Sequence, residues 1–504
     1  MKKLLSIIAL AFALTLVGCS TPYGLDYESG LPPTGETYAE ITDNPFIRTI
    51  DRSVSTFSAD VDTASYSNIR RFLNQGILPE RDAVRIEEMV NYFTYDIDAP
   101  QAGEIINVHS EYSDAPWQSG HKLLMLGLKT EDIQFDESVG MNLVFLIDVS
   151  GSMFSSDKLP LLKQALYLLI ENLRPIDRIS IVTYAGSTKV LLEGGDSTDK
   201  DEIIQALDRL QASGSTAGAS GINLAYKVAK ENFIEGGNNR IILASDGDFN
   251  VGESSVGGLK ALISEERDHG IFLSVLGFGT GNYRDDIMES LADHGNGVYY
   301  YIDSLKEAEK VLVHELGGTM ITVMKDVKLQ VEFNPASVKA YRLIGYENRV
   351  LDYEDYEDDT KDAGDIGSGH VVIAFYEIIP VGSPTEVLTI EFDPIEDLKY
   401  DSTNYLDELL TLSIRYKEPT ENTSQEIQKV ILNEAYTTTP SKEFQFGSAV
   451  VEFGLLLRES KYKGTSSFDA IIERATNALE FDPHEYRSEF VRLVEMAKNI
   501  STAD

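Results

Sequence analysis

Cysteine is almost missing from this chain, with Cys19 the only one in 504 residues, which excludes an internal disulfide and any thiolate metal cluster. Histidine is scarce too. The seven present (His109, His121, His269, His294, His314, His370 and His484) form no pair at ligand spacing. His314-Glu315 opens like a zinc-protease helix, but the residue four on is Gly318, so the match fails. Basic residues number 43 against 82 acidic ones, a formal charge of −39. Such a surface repels nucleic acid and anionic headgroups and suits divalent cations or a basic partner. Residues 214–218 are small and glycine-rich but lack the lysine of a phosphate-binding loop, which argues against nucleotide. The one tryptophan, Trp117, reads as a core anchor or strand cover.

What is present begins with an address. Lys2 and Lys3 precede an almost wholly apolar run, Leu4 to Val17, and Leu16-Val-Gly-Cys19 fits a bacterial lipobox. Fourteen residues in a helix reach about 21 Å, short of a hydrocarbon core of about 30 Å, so an anchor is expected rather than a span. On this reading residues 1–18 are a lipoprotein signal peptide, Cys19 is lipidated, and 19–45, rich in proline and glycine, is a flexible tether. The protein is then expected in the cell envelope, facing the extracytoplasmic side.

The chemistry centres on Asp148-Val-Ser150-Gly-Ser152, at the end of the apolar run Met141 to Ile147. A carboxylate and two hydroxyls on alternate residues face one point if the backbone turns sharply, and Gly151 permits the turn. Oxygen ligands of this kind suit a hard cation and fill only part of its shell. Thr216, in a small-residue loop that opens a helix, and Asp246, which ends the strand Arg240 to Ser245, belong to strand-then-helix units that place loops at the carboxyl edge of a parallel sheet. The pattern Asp148-x-Ser150-x-Ser152, Thr216, Asp246 resembles the metal-ion-dependent adhesion site of von Willebrand factor type A (VWA) domains. The resemblance implies Mg2+ (or Mn2+/Ca2+) held by Ser150, Ser152 and Thr216, with Asp148 and Asp246 acting directly or through water. It also implies a protein partner whose Asp or Glu completes the shell.

The fold class expected is α/β: a doubly wound, mainly parallel, Rossmann-like sheet over 140–320, inserted between β-rich flanks and followed by a helical segment. Residues 46–100 read as an N-terminal helical segment, with Asp62 or Thr63 capping its first helix in preference to a second cation site at Asp60, Asp62 and Ser65. Residues 101–135 and 321–418 read as strands, the latter including Val387 to Phe392, and 419–504 as helical. Strands on both flanks suggest one sandwich interrupted by the insertion. The acidic stretch Asp352 to Asp365 fits no EF-hand register and reads as a solvated hairpin loop. The segments outside the type A domain resemble the YfbK-like bacterial lipoproteins.

Three functions follow in order of preference. The first is an envelope lipoprotein that captures a partner through the metal. The second is a structural envelope protein whose metal only stiffens three loops. The third, an enzyme using the ion as a Lewis acid, would need a base, and Asp248 reads instead as stiffening its own loop. The chain is therefore read as binding, not catalysing.

Overall fold

Two apolar periods build the molecule: alternation in the flanks, and near-continuous apolar strands separated by helices in the middle. The computed structural model describes residues 35–503 apart from 60–61, 134–138, 216–217, 248–255, 282, 316–321, 397, 402–404, 420 and 422, and apart from the side chains of 256, 401 and 503. The leading flank runs Val54–Ser58 (β1), Ala64–Asn74 (α1), Ile86–Asn91 (α2), Ile106–Asp114 (β2) and Lys122–Thr130 (β3). The middle runs Met141–Asp148 (β4), Leu159–Asn172 (α3), Arg178–Tyr184 (β5), Thr188–Asp196 (β6), Lys200–Asp208 (α4), Gly218–Glu231 (α5), Asn238–Ser245 (β7), Val256–Asp268 (α6), Ile271–Phe278 (β8), Asp285–His294 (α7), Tyr299–Ile302 (β9) and Leu305–Glu309 (α8). The trailing flank holds Thr322–Phe333 (β10), Val338–Ile344 (β11), Val371–Pro380 (β12), Glu408–Lys417 (β13) and Ser424–Leu432 (β14). Helices Lys442–Leu457 (α9), Phe468–Thr476 (α10) and Tyr486–Ala503 (α11) follow.

The middle sheet has the order β9-β8-β7-β4-β5-β6, parallel except for the β5–β6 pair. Its central strands are apolar on both sides because helices cover both faces. Leu143, Phe145 and Ile147 of β4 meet α3, while Val144 and Leu146 meet α5. Every parallel strand therefore ends at the same rim, where Asp148 and Asp246 stand.

The flanks form two antiparallel sheets. In one, β3 lies against β12 from Lys122↔Ile378 to Lys129↔Val371, so a strand before the insertion pairs with one after it. In the other, β1 lies against β10, and β10 against β13. The two-residue period divides the side chains of β3: Leu124, Leu126 and Leu128 face Leu329, Val331, Leu412 and Ile414 across the sandwich. Leu123 and Met125 point the other way, into a core shared with α2, α9, α10 and α11. Trp117 is fully buried in that second core and donates its indole N–H to Glu377 Oε2 at 3.3 Å.

Several elements differ from the sequence reading. Val387 to Phe392 forms no strand: it lies beside Asp51 and Arg52, with Leu388 exposed and Arg52 over the Phe392 ring at 4.8 Å. Within 46–100 the segment Val54–Ser58 is a sheet strand, and within 419–504 so is Ser424–Leu432, an edge strand with most side chains exposed. Helical periodicity in the sequence runs from Ser304 to Leu316, but the structure is α over Leu305–Glu309 and then a π turn over Lys310–Glu315. Thr63 stands at the start of α1 without a side-chain cap, and Asp62 instead accepts from Tyr299 N at 2.7 Å and pairs with Arg349. Ser65 bonds Ala83 O and Arg85 N, within the helical segment. The acidic stretch is not freely solvated, because the Lys328 ammonium donates to the carbonyls of Asp355 and Asp358, and Arg415 pairs with Asp359.

The middle is fastened to the leading flank by buried arginines. Arg85, 3 % exposed, closes on Glu88 in α2 and on Asp285 and Glu289 in α7. Arg70 in α1 closes on Asp303, Glu307 and Glu489. Removing one partner of a buried ion pair leaves the others charged and dry, at a cost of about 3–5 kcal/mol. Arg85→Met is accordingly expected to lower stability by about that amount, read as a drop in the denaturation midpoint at unchanged secondary structure.

Candidate metal centre

The end of β4 turns back on its own carboxylate: Ser150 N donates to Asp148 Oδ1 at 2.8 Å. Gly151 serves by close approach rather than by unusual backbone angles, since its N–H donates to Gly214 O at 3.0 Å and a Cβ there would lie 3.4 Å from that oxygen. Ser213 N donates to Val149 O at 2.7 Å, which laces the second loop to the first. Thr216 itself lies outside the described residues, as do Asp248 and Cys19. The hydroxyls of Ser150 and Ser152 are 2.8 Å apart. Ser245 Oγ donates to Asp148 Oδ2 at 3.4 Å, and this brings the end of β7, hence Asp246, beside the first loop. Both carboxylates are buried. Burial, with Asp246 nearby, pushes the Asp148 carboxyl up to about 6.

Sequence reading missed Lys158. Its ammonium sits 2.9 Å from Asp246 Oδ2, with the lysine side chain only 7 % exposed. The stem reaches that position because the residue it crosses is Gly279, at φ +78°, where a Cβ would stand 2.2 Å from Lys158 Cε. A lysine just before a helix reads as a solvated charge. The available signal was Gly279 after β8, where a neighbour's side chain needs room.

The donor set fits a hard divalent cation: two carboxylates and two hydroxyls, with no sulfur or nitrogen among them. Among the described residues no group of three or more His, Cys, Asp or Glu gathers to hold a metal, as expected where hydroxyls supply much of the shell. Beside these loops runs a groove of about 360 Å³ lined in part by Val149, Ser213, Lys189 and Arg209. Phe154, two residues past Ser152, is 80 % exposed.

Residues 142–313 match the von Willebrand factor type A domain, residues 318–500 match the family described as "Uncharacterized protein YfbK, C-terminal", and residues 32–125 match one described as "von Willebrand factor". "Uncharacterized protein YfbK" of Escherichia coli (strain K12) is 42% identical over 476 residues, 93% of this chain and 82% of that one. The chain belongs to the YfbK family. The VWA domain of this YfbK-family protein is the mostly parallel middle sheet, flanked by the antiparallel sheets and followed by α9–α11. A more distant likeness, 27% identical over 193 residues, is to inter-alpha-trypsin inhibitor heavy chain H4 of Bos taurus, covering 37% of this chain and 19% of that one. Among solved structures, a von Willebrand factor type A protein from Catenulispora acidiphila is 15% identical, with a TM-score of 0.40 over 74% of this chain and 86% of that one. VWA domains often bind divalent cations at such a site and typically mediate contacts between proteins.

If Gly279 is glycine to make room for Lys158, the two positions are coupled. Gly279→Ala is expected to cost at least about 1 kcal/mol less in a Lys158→Ala background than in the wild-type chain, in a double-mutant cycle of denaturant melts.

Proposed function

We propose that this protein is an envelope lipoprotein that captures a protein partner at the carboxyl rim of its VWA domain. Asp148, Ser150, Ser152, Thr216 and Asp246 would hold Mg2+ (or Mn2+/Ca2+), and an Asp or Glu of the partner would complete the shell. When bound, the ion supplies a concentrated positive charge for that carboxylate. The observation that carries the reading is the convergence of the Asp148, Gly214 and Asp246 loops at one rim, with two buried carboxylates and two hydroxyls turned together. The chain's own residues prepare the partner's place. Phe154 offers an apolar anchor beside the loops, and Lys189 and Arg209 line the adjoining groove with charge opposite to an acidic partner. This local positive charge lets an acidic segment approach a chain whose formal charge is −39, because salt screens charges farther than about 10 Å.

The competing reading, in which a metal only stiffens the loops, is weakened by Lys158. Its ammonium already ties the start of α3 to Asp246, so those two elements have a cation without an ion. The same ammonium opposes a divalent ion at Asp246, and its removal favours one. The reading is of a binding protein rather than an enzyme: the two serine hydroxyls bond each other and face carboxylates, the environment of ligands rather than of an activated nucleophile.

Titration calorimetry is expected to show one Mg2+ bound, lost in Asp246→Ala and tightened about tenfold or more in Lys158→Met, the effect of removing one nearby like charge. Partner capture from membranes is expected with Mg2+ and to disappear with chelator and in Asp246→Ala; capture unchanged in all three defeats the proposal. Cys19→Ser is expected to move the protein from the membrane fraction to the soluble fraction, and retention there would remove the lipid anchor.

A further inference from the structure

Seven arginines are buried among the described residues: Arg70, Arg71, Arg85, Arg240, Arg342, Arg458 and Arg487. Six of them close on carboxylates. Arg240, only 4 % exposed, does not. Among the described residues its one hydrogen bond is from Nη1 to Ser274 Oγ at 2.6 Å, and its Nε is buried with no acceptor. A dry guanidinium with no carboxylate in contact is costly, and burial lowers its pKa to about 10 against the opposing charge of Asp365 nearby.

Arg240 lines a cavity of about 290 Å³ where the VWA sheet meets the sandwich, at the amino-terminal edge of the parallel strands and away from the metal rim. Two further lining residues carry buried atoms with no partner, Asp365 Oδ2 and His370 Nε2. The other Asp365 oxygen accepts from Asp326 N at 3.1 Å. Burial, with Asp326 and Asp362 beside it, pushes the Asp365 carboxyl up to about 7, and burial near Lys310 pushes His370 down to about 4, leaving a neutral imidazole. The remaining charged groups of the lining have partners: Arg349 holds Asp62 and Asp293, and Asp362 is taken by Arg267. One cation and one acid are left over. They share the cavity and form no ion pair with each other.

We infer that this cavity is a binding site for a small zwitterion of the α-amino-acid class, its carboxylate on Arg240 and its ammonium on Asp365. A single molecule with both groups satisfies the two unpaired side chains at once, and His370 Nε2 adds a neutral hydrogen-bonding position. The volume lies at the small end of ligand sites, which suits a ligand of amino-acid size rather than a nucleotide or a peptide segment. The site is independent of the metal rim and of the function proposed for it.

The test uses the full chain, titrated calorimetrically and by thermal shift with the free amino acids of both hands, with propionate and ethylamine as half-ligands. At least one amino acid is expected to bind one to one and raise the melting temperature, with each half-ligand about tenfold weaker or worse, the loss of one charge-assisted contact. Arg240→Met is expected to abolish binding and to raise the melting temperature of the unliganded protein, because it removes a buried charge kept for a ligand; an arginine needed by the fold gives the opposite sign. Asp365→Asn is expected to weaken the amino acid about tenfold and leave propionate unchanged. The proposal is overturned if no amino acid binds at millimolar concentration, if propionate binds as well as the amino acid, or if Arg240→Met melts below the wild-type chain.

Discussion

Arginines of the flanking segments, each closed on carboxylates of the inserted domain, fix where the VWA domain stands. Arg70 takes Asp303 and Glu307, Arg85 takes Asp285 and Glu289, and Arg349 takes Asp293 together with Asp62 of its own side of the junction. Glu36 adds another tie, accepting from both Arg71 and Gly281 N. Such pairs add little net stability, since desolvation offsets much of the attraction, but they tolerate only one arrangement. A slide of the insert by one helical turn would leave several charges dry and unmatched. The consequence is a rim held at a set orientation to the sandwich and its helices, and a cavity on the opposite edge of the sheet.

At the rim the same electrostatics works at smaller scale. Asp148 and Asp246 are buried side by side, which is unfavourable for two anions, and Lys158 relieves the second of them. The price of that arrangement is a glycine at 279, because the lysine stem occupies the space of a Cβ. A loop set with an internal cation can keep its shape while an ion comes and goes.

Much of this was legible in the sequence, for a physical reason. The parallel strands are buried on both faces, so their apolar runs end close to where the strands end: the run Met141 to Ile147 lies in the strand Met141–Asp148, and Arg240 to Ser245 in Asn238–Ser245. The loops that carry Asp148 and Asp246 follow from those boundaries. What was not legible depends on neighbours distant in sequence. Val387 to Phe392 has the alternation of a strand, but the edge of the sheet beside it is the two-residue strand Ile47–Arg48, and the run passes Asp51 without joining a ladder. Ser424–Leu432 lacks clear alternation because an edge strand buries so little. Asp62 looked like a helix cap by position; its actual partners, Tyr299 and Arg349, lie more than two hundred residues away. Neither Lys158 nor Arg240 is marked at its own position, for the same reason: what distinguishes them is which charges they meet or fail to meet.

The strand β7 holds one candidate site at each end. Asp246 follows its last residue and Arg240 lies near its start, six residues apart, so at about 3.3 Å per residue their backbones stand roughly 20 Å from each other. No small ligand touches both. The strand between them is paired along its length to β4 on one side and β8 on the other, and its side chains Ile241, Ile242, Leu243 and Ala244 are packed on both faces. A strand so held has no second position to move to without breaking two ladders, and coupling between sites requires an element with two arrangements. The rim and the cavity therefore behave as separate sites on a common rigid sheet. A ligand in the cavity would bear on the junction between insert and sandwich, and an ion at the rim on Asp148, Asp246 and the loops beside them.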